Sequence, residues 1–366
     1  MNSASHDQYM RRALSIAASA SHRTSPNPMV GCVIVRDGEI VGEGVTQPAG
    51  QEHAEVIALR AAGEAARGAD MYVTLEPCCH VGRTGPCTEA IITAGVARVF
   101  TGIIDPNPVV HGNGLQALES AGVRTRNGVL GAECATHHAA FSRFIRESRP
   151  WVTLKAGMSL DGRIATLGGD SKWITGDEAR KDAHRLRATC DAVLVGAETA
   201  RLDEPKLTVR LVDGDDPLRV VLDTNASLDA DSPIFGDGSV LFHGEAADRE
   251  RLEAIKATGA RVICAPMDGG RLRLSVILAE LAQLGVVSLL VEGGGQVHAS
   301  FLEERFADEA CFYVAPKIVG EGRSVISTPS VGSISESWSL ARPQITKLGD
   351  DVRICGRINY PNSDKD

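Results

Sequence analysis

The sequence is poor in aromatic residues, which make up 4% of its 366 positions. Surfaces that bind single-stranded nucleic acid stack bases on Phe, Tyr and Trp, so this scarcity argues against such a surface. Positive charge is also in deficit, because the formal net charge is -9. General binders of nucleic acid or membrane surfaces need a dominant basic face, so we expect neither partner. An anionic small molecule remains compatible with this composition, because a few arginines suffice for one phosphate.

Long apolar runs are missing as well: no stretch approaches the roughly 18 consecutive apolar residues of a transmembrane helix. The first residues, MNSASHDQYMRRALSIAASASHR, mix charges with apolar residues and predict an amphipathic helix, not a secretory signal. The nine cysteines are odd in number and scattered, which favours a reducing cytoplasm over a disulfide framework. Six of them are expected to be buried packing residues: Cys32, Cys134, Cys190, Cys264, Cys311 and Cys355.

The length predicts two domains, because a single core seldom serves 366 residues. Strands alternate with helices in both halves, so we expect α/β domains whose sheets are covered on both faces. A charged, Pro-containing joint, RESRP, precedes a fresh strand. We therefore predict one domain at residues 1–147 and a second at residues 148–366.

A metal site is predicted in the first half. His53 and Glu55 open a helix in QEHAEVIALR, and Cys78 and Cys87 flank a turn after the strand MYVTL. Imidazole and thiolate are zinc ligands, and a catalytic zinc keeps one position open, so His53, Cys78 and Cys87 supply the expected three. The arrangement follows the H-x-E and P-C-x-x-C pattern of zinc nucleobase deaminases, although eight residues, not two, separate the cysteines.

Glu55 is better placed to move a proton than to bind the metal, because it lies too close in sequence to His53 to be a fourth ligand. It would deprotonate the attacking water and pass the proton to the leaving ammonia. Burial would bring its pKa near neutrality. Three alternatives stay open: a purely structural zinc site, a reduced Cys pair near a surface His, and Cys79 or His80 as competing ligands.

An apolar strand in the second half leads into three glycines and a helix, in VVSLLVEGGGQVHASFL. Such a turn can hold an anion on backbone N–H groups and the helix dipole. By itself it is equally compatible with a tight strand-to-helix connection, because the pattern G-x-G-x-x-G is absent.

Taken together, several stretches resemble the bifunctional deaminase–reductase of riboflavin biosynthesis. In the first half these are SPNPMVGCVIV, HAEV, YVTLEPCCHVGRTGPC and DPNP; in the second, LKAGMSLDGRIATLGGDSKWITG, ARLDEPKLTVR, VEGGGQVHASFL and APKIVGEG. The resemblance implies an N-terminal cytidine-deaminase-like three-layer αβα domain and a C-terminal dihydrofolate-reductase-like α/β domain. It also implies Zn2+ and NADPH as cofactors and a phosphorylated pyrimidine substrate. Separately, we expect a homo-oligomer.

The resemblance implies two successive reactions, which are deamination of a diamino-hydroxy-phosphoribosylamino-pyrimidine and reduction of its ribosyl group to ribityl. In the first half it makes Asn27, His80 and Arg83 substrate contacts, with Arg83 near the phosphate. A solvated loop charge is the alternative for Arg83. The sequence departs from common members at Thr46 and Ile57, where histidine is frequent, and at His111 and Asn113.

In the second half the resemblance implies a larger set of site residues. Lys155 would stabilise or protonate the reacting group, unless it is an exposed structural lysine. Trp173 would lie beside the cofactor, unless it packs in the core. The remaining substrate contacts would be Ser171, Arg187, Leu207, Arg210 and Glu292, and the remaining cofactor contacts Gly157, Thr199, Asp203, Gly294, Gly295, Gln296, Val297, His298, Ala299 and Ser300.

Two rival functions are weaker. A deaminase of bases in nucleic acid should carry a basic channel and stacking aromatics, and this composition has neither. A zinc-stabilised binding protein without activity would not need Glu55 or an intact VEGGG turn.

Overall fold

The computed structural model describes residues 3–20, 24–80, 85–327 and 331–361. The chain divides into two compact units, Met1–Arg149 and Pro150–Asp366, here called the N-terminal and C-terminal domains. The predicted junction after residue 147 lies two residues before this division. In the described part of the chain, none of the helices combines the length and apolar content that crossing a bilayer requires.

The N-terminal domain is built on one mixed sheet with the order β2-β1-β3-β4-β5. Strand β1 is antiparallel to β2 and β3, whereas β3, β4 and β5 run parallel. All six residues of β3 are buried, as expected for the central strand of a sheet covered on both faces. The strands are β1 (Gly31–Arg36), β2 (Glu39–Val45), β3 (Asp70–Leu75), β4 (Arg98–Ile103) and β5 (Arg124–Asn127).

Helices cover both faces of this sheet and complete the predicted three layers. Two separate apolar clusters hold them: one joins Ala58 and Ile91 to one face, and the other joins Met10 and Cys134 to the opposite face. The helices are α1 (Ser3–Ser19), α2 (Ala54–Ala62), α3 (Cys87–Ala94), α4 (Asn113–Ser120), α5 (Gly131–His137) and α6 (Ala139–Glu147), and a 3₁₀ turn follows α2 at Gly63–Ala66.

Helix α2, which carries the predicted metal residues, packs directly against strand β2. A Cβ added to Gly44 would lie 2.2 Å from the carbonyl oxygen of Ala54. Only glycine at this position allows the helix backbone to approach so closely. This contact fixes the first turn of α2, and with it His53 and Glu55, against the sheet.

The C-terminal domain contains a nine-stranded sheet with the order β11-β10-β9-β8-β14-β6-β15-β18-β17. The strands from β11 to β15 are parallel, and β18 and β17 add an antiparallel hairpin. These strands are β6 (Trp151–Ser159), β8 (Ala192–Gly196), β9 (Leu218–Leu222), β10 (Ser239–His243), β11 (Arg261–Cys264), β14 (Ser288–Val291), β15 (Glu309–Ala315), β17 (Ser339–Leu348) and β18 (Asp351–Asn359).

Side chains alternate between the two faces of this sheet. Leu194 and Val220 join one apolar cluster, and Val193 and Val221 join the other. The helices that cover these faces are α7 (Asp177–Thr189), α8 (Ala197–Asp203), α9 (Arg249–Ala257), α10 (Leu274–Gln283) and α11 (Gly295–Glu303). Two small ribbons pair β7 (Arg163–Thr166) with β16 (Gly322–Ser324) and β12 (Met267–Asp268) with β13 (Arg271–Leu272), and a 3₁₀ turn lies at Ile334–Glu336.

The six cysteines expected in the core do not all behave as free, buried packing residues. Cys264 is exposed at the end of an edge strand. Cys311 and Cys355 are opposite each other on β15 and β18 and form a disulfide. The expectation that all six are buried packing residues was therefore wrong for Cys264, and Cys355 is only half-buried, whereas Cys32, Cys134, Cys190 and Cys311 are buried.

Candidate active sites

The metal residues of the N-terminal domain come together at the junction of two elements. His53 caps the start of α2, and Cys87 opens α3 after the turn that contains Cys78. The His53 Nδ1 lies 3.2 Å from Cys87 Sγ and 3.5 Å from Cys78 Sγ. One ligand atom from each of the three residues fits within 4.8 Å of the others, and no fourth His, Cys, Asp or Glu joins this group in the described ranges.

The chemistry of these three donors fits zinc. Soft thiolates together with an imidazole are zinc ligands, and three ligands leave one position open. The hydrogen bond from Cys87 and the neighbouring His53 lower the pKa of the Cys78 thiol, although burial opposes the change. The thiol pair thus provides a thiolate at neutral pH, as metal binding requires. Cys79 and His80 are not part of the group.

Glu55 lies beside this group, in the first turn of α2, and is 4% exposed. Burial raises its pKa to about 7, and the nearby Cys78 adds to the increase. A carboxyl group with a pKa near the working pH can both accept and donate a proton. Glu55 therefore has the buried environment that the sequence analysis expected for it.

A cavity of about 370 Å³ opens onto the metal group and Glu55. The predicted substrate residues Asn27 and His80 line it, whereas Arg83 lies outside the described residues. Thr46 also lines the cavity. Threonine in place of the frequent histidine therefore changes the wall of this cavity. Ile57 does not, because it packs against β2 near Gly44.

The cavity also contains residues to which the sequence analysis assigned no role. Asp105 and Asn107 of the DPNP stretch line it, together with Glu76, Gln51 and Phe141. Glu76 accepts hydrogen bonds from the backbone N–H groups of Asp105, Gly112 and Leu115, and so ties their loop to the metal-binding turn. Burial raises the pKa of Asp105 to about 6. The quoted DPNP motif was a signal for these residues, but it did not indicate their position.

The loop after Asp105 holds its shape through two further departures from common members. The imidazole of His111 lies 3.0 Å from the Asp105 carbonyl oxygen, and Asn113 Nδ2 donates to the Val109 carbonyl at 3.3 Å. Both side chains therefore bond within their own loop.

The C-terminal domain has a second cavity, of about 1000 Å³, at the carboxyl end of its parallel strands. Eleven of the predicted substrate, cofactor and catalytic residues line it: Lys155, Gly157, Ser171, Trp173, Arg187, Thr199, Asp203, Leu207, Arg210, Glu292 and Gly294. Ligands bind to open α/β sheets at this edge. Trp173 is 62% exposed, which excludes the alternative that it packs in the core.

A buried ion-pair triad lies at the centre of this cavity. Glu292 accepts two hydrogen bonds from Arg187, at 2.7 and 2.9 Å, and one from Lys155 at 3.1 Å. Lys155 has a side-chain exposure of 15% and is therefore not an exposed structural lysine. Although burial alone would raise the pKa of Glu292, the charges of Arg187 and Lys155 hold that pKa well below its usual range.

Two further contacts hold residues of the same cavity wall in place. Arg187 also donates to the Thr208 carbonyl, and His184 Nδ1 accepts the backbone N–H of Arg210. Burial and the charges of Arg187 and Arg210 lower the pKa of His184 to about 4, so its imidazole is neutral. Arg187 is fully engaged by these partners, whereas the Arg210 side chain is exposed and bonds only the Thr208 hydroxyl among the described residues.

The last predicted cofactor residues lie away from the cavity lining. Gly294 faces it, but Gly295, Gln296, Val297, His298, Ala299 and Ser300 form α11. A Cβ added to Gly295 would lie 2.4 Å from the Ser324 carbonyl oxygen, so this glycine allows close packing of β16. His298 is buried, and its ring nitrogens lie 2.9 and 3.3 Å from backbone carbonyl oxygens.

Comparison with known proteins identifies both halves. Residues 150–354 match the RibD C-terminal domain, and residues 3–103 match the cytidine and deoxycytidylate deaminase zinc-binding region. The riboflavin biosynthesis protein RibD of Bacillus amyloliquefaciens is 40% identical over 95% of both chains, and that of Aquifex aeolicus is 42% identical over 94% of this chain and 96% of its own.

Solved structures agree with these sequence matches. Acinetobacter baumannii RibD has a TM-score of 0.88 and 34% identity, and covers 98% of this chain and 100% of its own. A Thermotoga maritima structure, described as a diaminohydroxyphosphoribosylaminopyrimidine deaminase/5-amino-6-(5-phosphoribosylamino)uracil reductase, has a TM-score of 0.84 and 35% identity, over 97% and 99% of the two chains.

Proposed function

The chain belongs to the family of the riboflavin biosynthesis protein RibD, a bifunctional deaminase and reductase, and we propose that it acts on the two substrates named for the Thermotoga structure. The first is 2,5-diamino-6-hydroxy-4-(5-phosphoribosylamino)pyrimidine, which loses ammonia. The second is 5-amino-6-(5-phosphoribosylamino)uracil, whose ribosyl group is reduced to ribityl. The observation that carries the proposal is the pairing of a metal trio with a buried carboxyl in one cavity and an ion-pair triad in the other.

In the deaminase site, His53, Cys78 and Cys87 would hold Zn2+. Zinc supplies a Lewis acid that makes water a nucleophile near neutral pH. Glu55 takes the proton from that water and delivers it to the amine that leaves as ammonia. A pKa of about 7 suits both transfers, because the group must be able to change protonation state twice in one turnover.

Binding of the pyrimidine would fall to polar side chains that line the same cavity. Asn27 and His80 were expected to contact the substrate, and Asp105 and Asn107 are added here because they line the same cavity. Asp105 can donate a hydrogen bond when protonated and accept one when ionised, because its pKa is raised to about 6. Arg83 remains a prediction for the phosphate contact.

In the reductase site, NADPH supplies a hydride for the sugar. The acceptor would be C1 of the ring-opened ribosylamine, as an imine, and its nitrogen would need a proton as the C=N bond is reduced. Lys155 is placed to donate that proton, because Glu292 fixes its ammonium group within the cavity. Gly157, Trp173, Thr199, Asp203 and Gly294 would orient the cofactor.

The two arginines predicted to bind the phosphate receive different roles. Arg187 is neutralised by Glu292, so we assign it to holding that carboxylate in place. Arg210 keeps an exposed guanidinium and therefore takes the ribosyl phosphate. Seven basic residues against four acidic ones line this cavity, which favours an anion despite the acidic chain.

The test is a two-part assay on purified protein with metal analysis. The diamino substrate should release ammonia, and the deaminated product should oxidise NADPH. Glu55→Gln should retain zinc and lose ammonia release by a factor of about 100 or more, while NADPH oxidation on the deaminated product continues. Wild-type protein that releases no ammonia, or that contains no zinc, would contradict the deaminase assignment.

The cellular setting completes the proposal. We place the enzyme in the cytoplasm, as the scattered cysteines suggested, and expect a homo-oligomer. Sedimentation velocity at micromolar concentration tests the second point, since a single species of monomer mass would contradict it.

A further inference from the structure

Two adjacent histidines lie at the junction of α5 and α6 in the N-terminal domain. His137 is the last residue of α5, and His138 joins that helix to α6. Their rings are nearly perpendicular, with centroids 4.7 Å apart. Neither side chain lines the cavity that contains the metal trio and Glu55. Any part that they take in deamination is therefore exerted through other residues.

His138 anchors this junction to the sheet. Its Nε2 lies 3.0 Å from the hydroxyl of Thr74, a fully buried residue of the central strand β3. The same hydroxyl accepts the backbone N–H of Gly31, the first residue of β1, at 3.2 Å. Since β3 ends three residues before Cys78, this anchor is close in the chain to the metal-binding turn.

His137 extends from this anchor to the loop before β1. Its Nε2 lies 2.8 Å from the carbonyl oxygen of Met29, across 108 positions of the sequence. A carbonyl oxygen can only accept, so Nε2 carries the hydrogen and donates it. Burial lowers the pKa of His137, although the bond to Met29 opposes that change. The imidazole is therefore neutral near pH 7, with its one hydrogen on Nε2.

The loop that His137 holds contains Asn27, which lines the cavity and is expected to contact the substrate. Residues 24–30 form neither helix nor strand, so contacts with other elements decide where Asn27 lies. Two bonds between Thr24 and Asn27, both 2.9 Å long, only close the turn on itself. Among the described residues, the bond from His137 to Met29 is the hydrogen bond nearest in sequence to Asn27 that ties this turn to another element.

The same junction begins α6, which supplies an apolar part of the cavity wall through Phe141, Phe144 and Ile145. His137 therefore connects the part of the wall that contains Asn27 to the part formed by α6. The distance between these two parts decides how closely a substrate is held between them. Reaction rates depend steeply on such placement, since a shift of about 1 Å can cost about 100-fold.

We propose that His137 is a positioning residue of the deaminase reaction: its hydrogen bond to Met29 places Asn27 in the cavity, with His138 as the anchor on β3. The inference deepens the proposed deaminase function and rests on it, because it takes Asn27 as a substrate contact. Proton transfer stays with Glu55, because His137 does not reach the cavity.

The test is a double-mutant cycle, read from the steady-state kinetics of ammonia release by the full chain with the diamino substrate. His137→Phe keeps an aromatic ring but removes the donor, and should lower kcat/KM about tenfold. In an Asn27→Ala background the same change should lower kcat/KM by less than about twofold, because the residue through which it acts is gone. His137→Gln should recover most of the wild-type value, since its amide can donate to Met29.

Hydrogen exchange gives a second readout that does not depend on turnover. Backbone N–H groups of residues 24–31 should exchange faster in His137→Phe than in wild type or His137→Gln, because the loop has lost its tie to α5. Exchange in α2, which carries Glu55, should be unchanged. Equal exchange of residues 24–31 in all three proteins would contradict the proposal.

Thr136→Ala is the matched control, because Thr136 is an exposed neighbour on α5 whose hydroxyl donates to the Ala132 carbonyl of its own helix. It should keep the wild-type kcat/KM. Full activity in His137→Phe, an equal loss with and without Asn27, or no recovery in His137→Gln would overturn the assignment. If wild-type protein releases ammonia and the cycle shows no coupling, only this inference fails. If wild-type protein releases none, the deaminase proposal fails with it.

Discussion

Glu55 and Glu292 are both buried carboxyl groups at the centre of a cavity, but the two domains treat them in opposite ways. In the N-terminal domain, burial raises the pKa of Glu55 to about 7. In the C-terminal domain, Arg187 and Lys155 hold the pKa of Glu292 low in spite of burial. Environments that separate the pKa values of similar groups assign them different roles. Glu55 can therefore exchange a proton, whereas Glu292 stays ionised and orients Lys155.

The largest expected effect is the loss of folding stability when Glu292, the carboxyl group that stays ionised, is replaced. Glu292→Gln leaves Arg187 and Lys155 as buried charges without a counter-ion, so we expect unfolding of the C-terminal domain to become easier by about 3–5 kcal/mol. Glu55→Gln should instead stabilise the N-terminal domain at pH 7, because a carboxyl group whose folded-state pKa is raised to about 7 destabilises the fold once it ionises. Denaturant titration measures both.

The stability deficit of Glu292→Gln should not depend on pH above about 5. A carboxyl group with a lowered folded-state pKa contributes stability that is present above its unfolded value, near 4.3, and is lost only at lower pH. A deficit in Glu292→Gln that vanished between pH 6 and pH 8 would show that Glu292 is not held ionised.

The next effect concerns the group that Glu292 orients. Lys155→Met should lower NADPH oxidation by a factor of about 100, because proton donation by a positioned side chain contributes that much. Ammonia release should be unchanged. Lys347→Met, which replaces an exposed lysine on the edge strand β17, is the control. Intact reductase turnover in Lys155→Met would remove Lys155 from the mechanism.

A smaller effect separates the two arginines of the reductase cavity. Arg210→Ala should raise the KM for the deaminated substrate about tenfold and leave kcat nearly unchanged, since its charge-assisted bond to a phosphate is made equally before and during reaction. Steady-state kinetics with the phosphorylated and dephosphorylated substrates provide the measurement. If the variant affects both substrates alike, Arg210 does not bind the phosphate.

A further effect, which accumulates only at acid pH, is the pH dependence of N-terminal domain stability. His138 is 2% exposed, its Nε2 lies 3.0 Å from the Thr74 hydroxyl, and burial lowers its pKa to about 3. The unfolded chain binds a proton at this position below about pH 6.5 and the folded chain does not, so stability falls as the pH drops through the window from 6.5 to 3.

His138→Gln should remove up to about 1.4 kcal/mol per pH unit from that slope. Unfolding of the N-terminal domain at pH 4.5, 5.5 and 7.5 measures the change. An identical slope in wild type and variant would mean that His138 is protonated in the folded protein.

Local patterns predicted most strands of the two large sheets and the helices from α1 to α4, but not β17. Pro343 and the exposed polar residues of SLARPQITKL argue against a strand, because proline cannot donate to a ladder. The structure tolerates Pro343 because β17 is an edge strand with an irregularity between Ala341 and Gln344. This segment can form a strand because it lies at the edge of the sheet, and the local sequence does not encode that position.

Short motifs in the sequence predicted the metal trio and Glu55, because they keep those residue types at fixed spacing, and the resemblance to a known family implied the residues of the reductase cavity as a set. Only the tertiary structure decided how they are paired. Glu292 meets Arg187 and Lys155 across 105 and 137 positions. Contacts between residues so far apart in sequence depend on the order of the strands in the sheet and on which charged groups become buried. The local spacing of residues encodes neither.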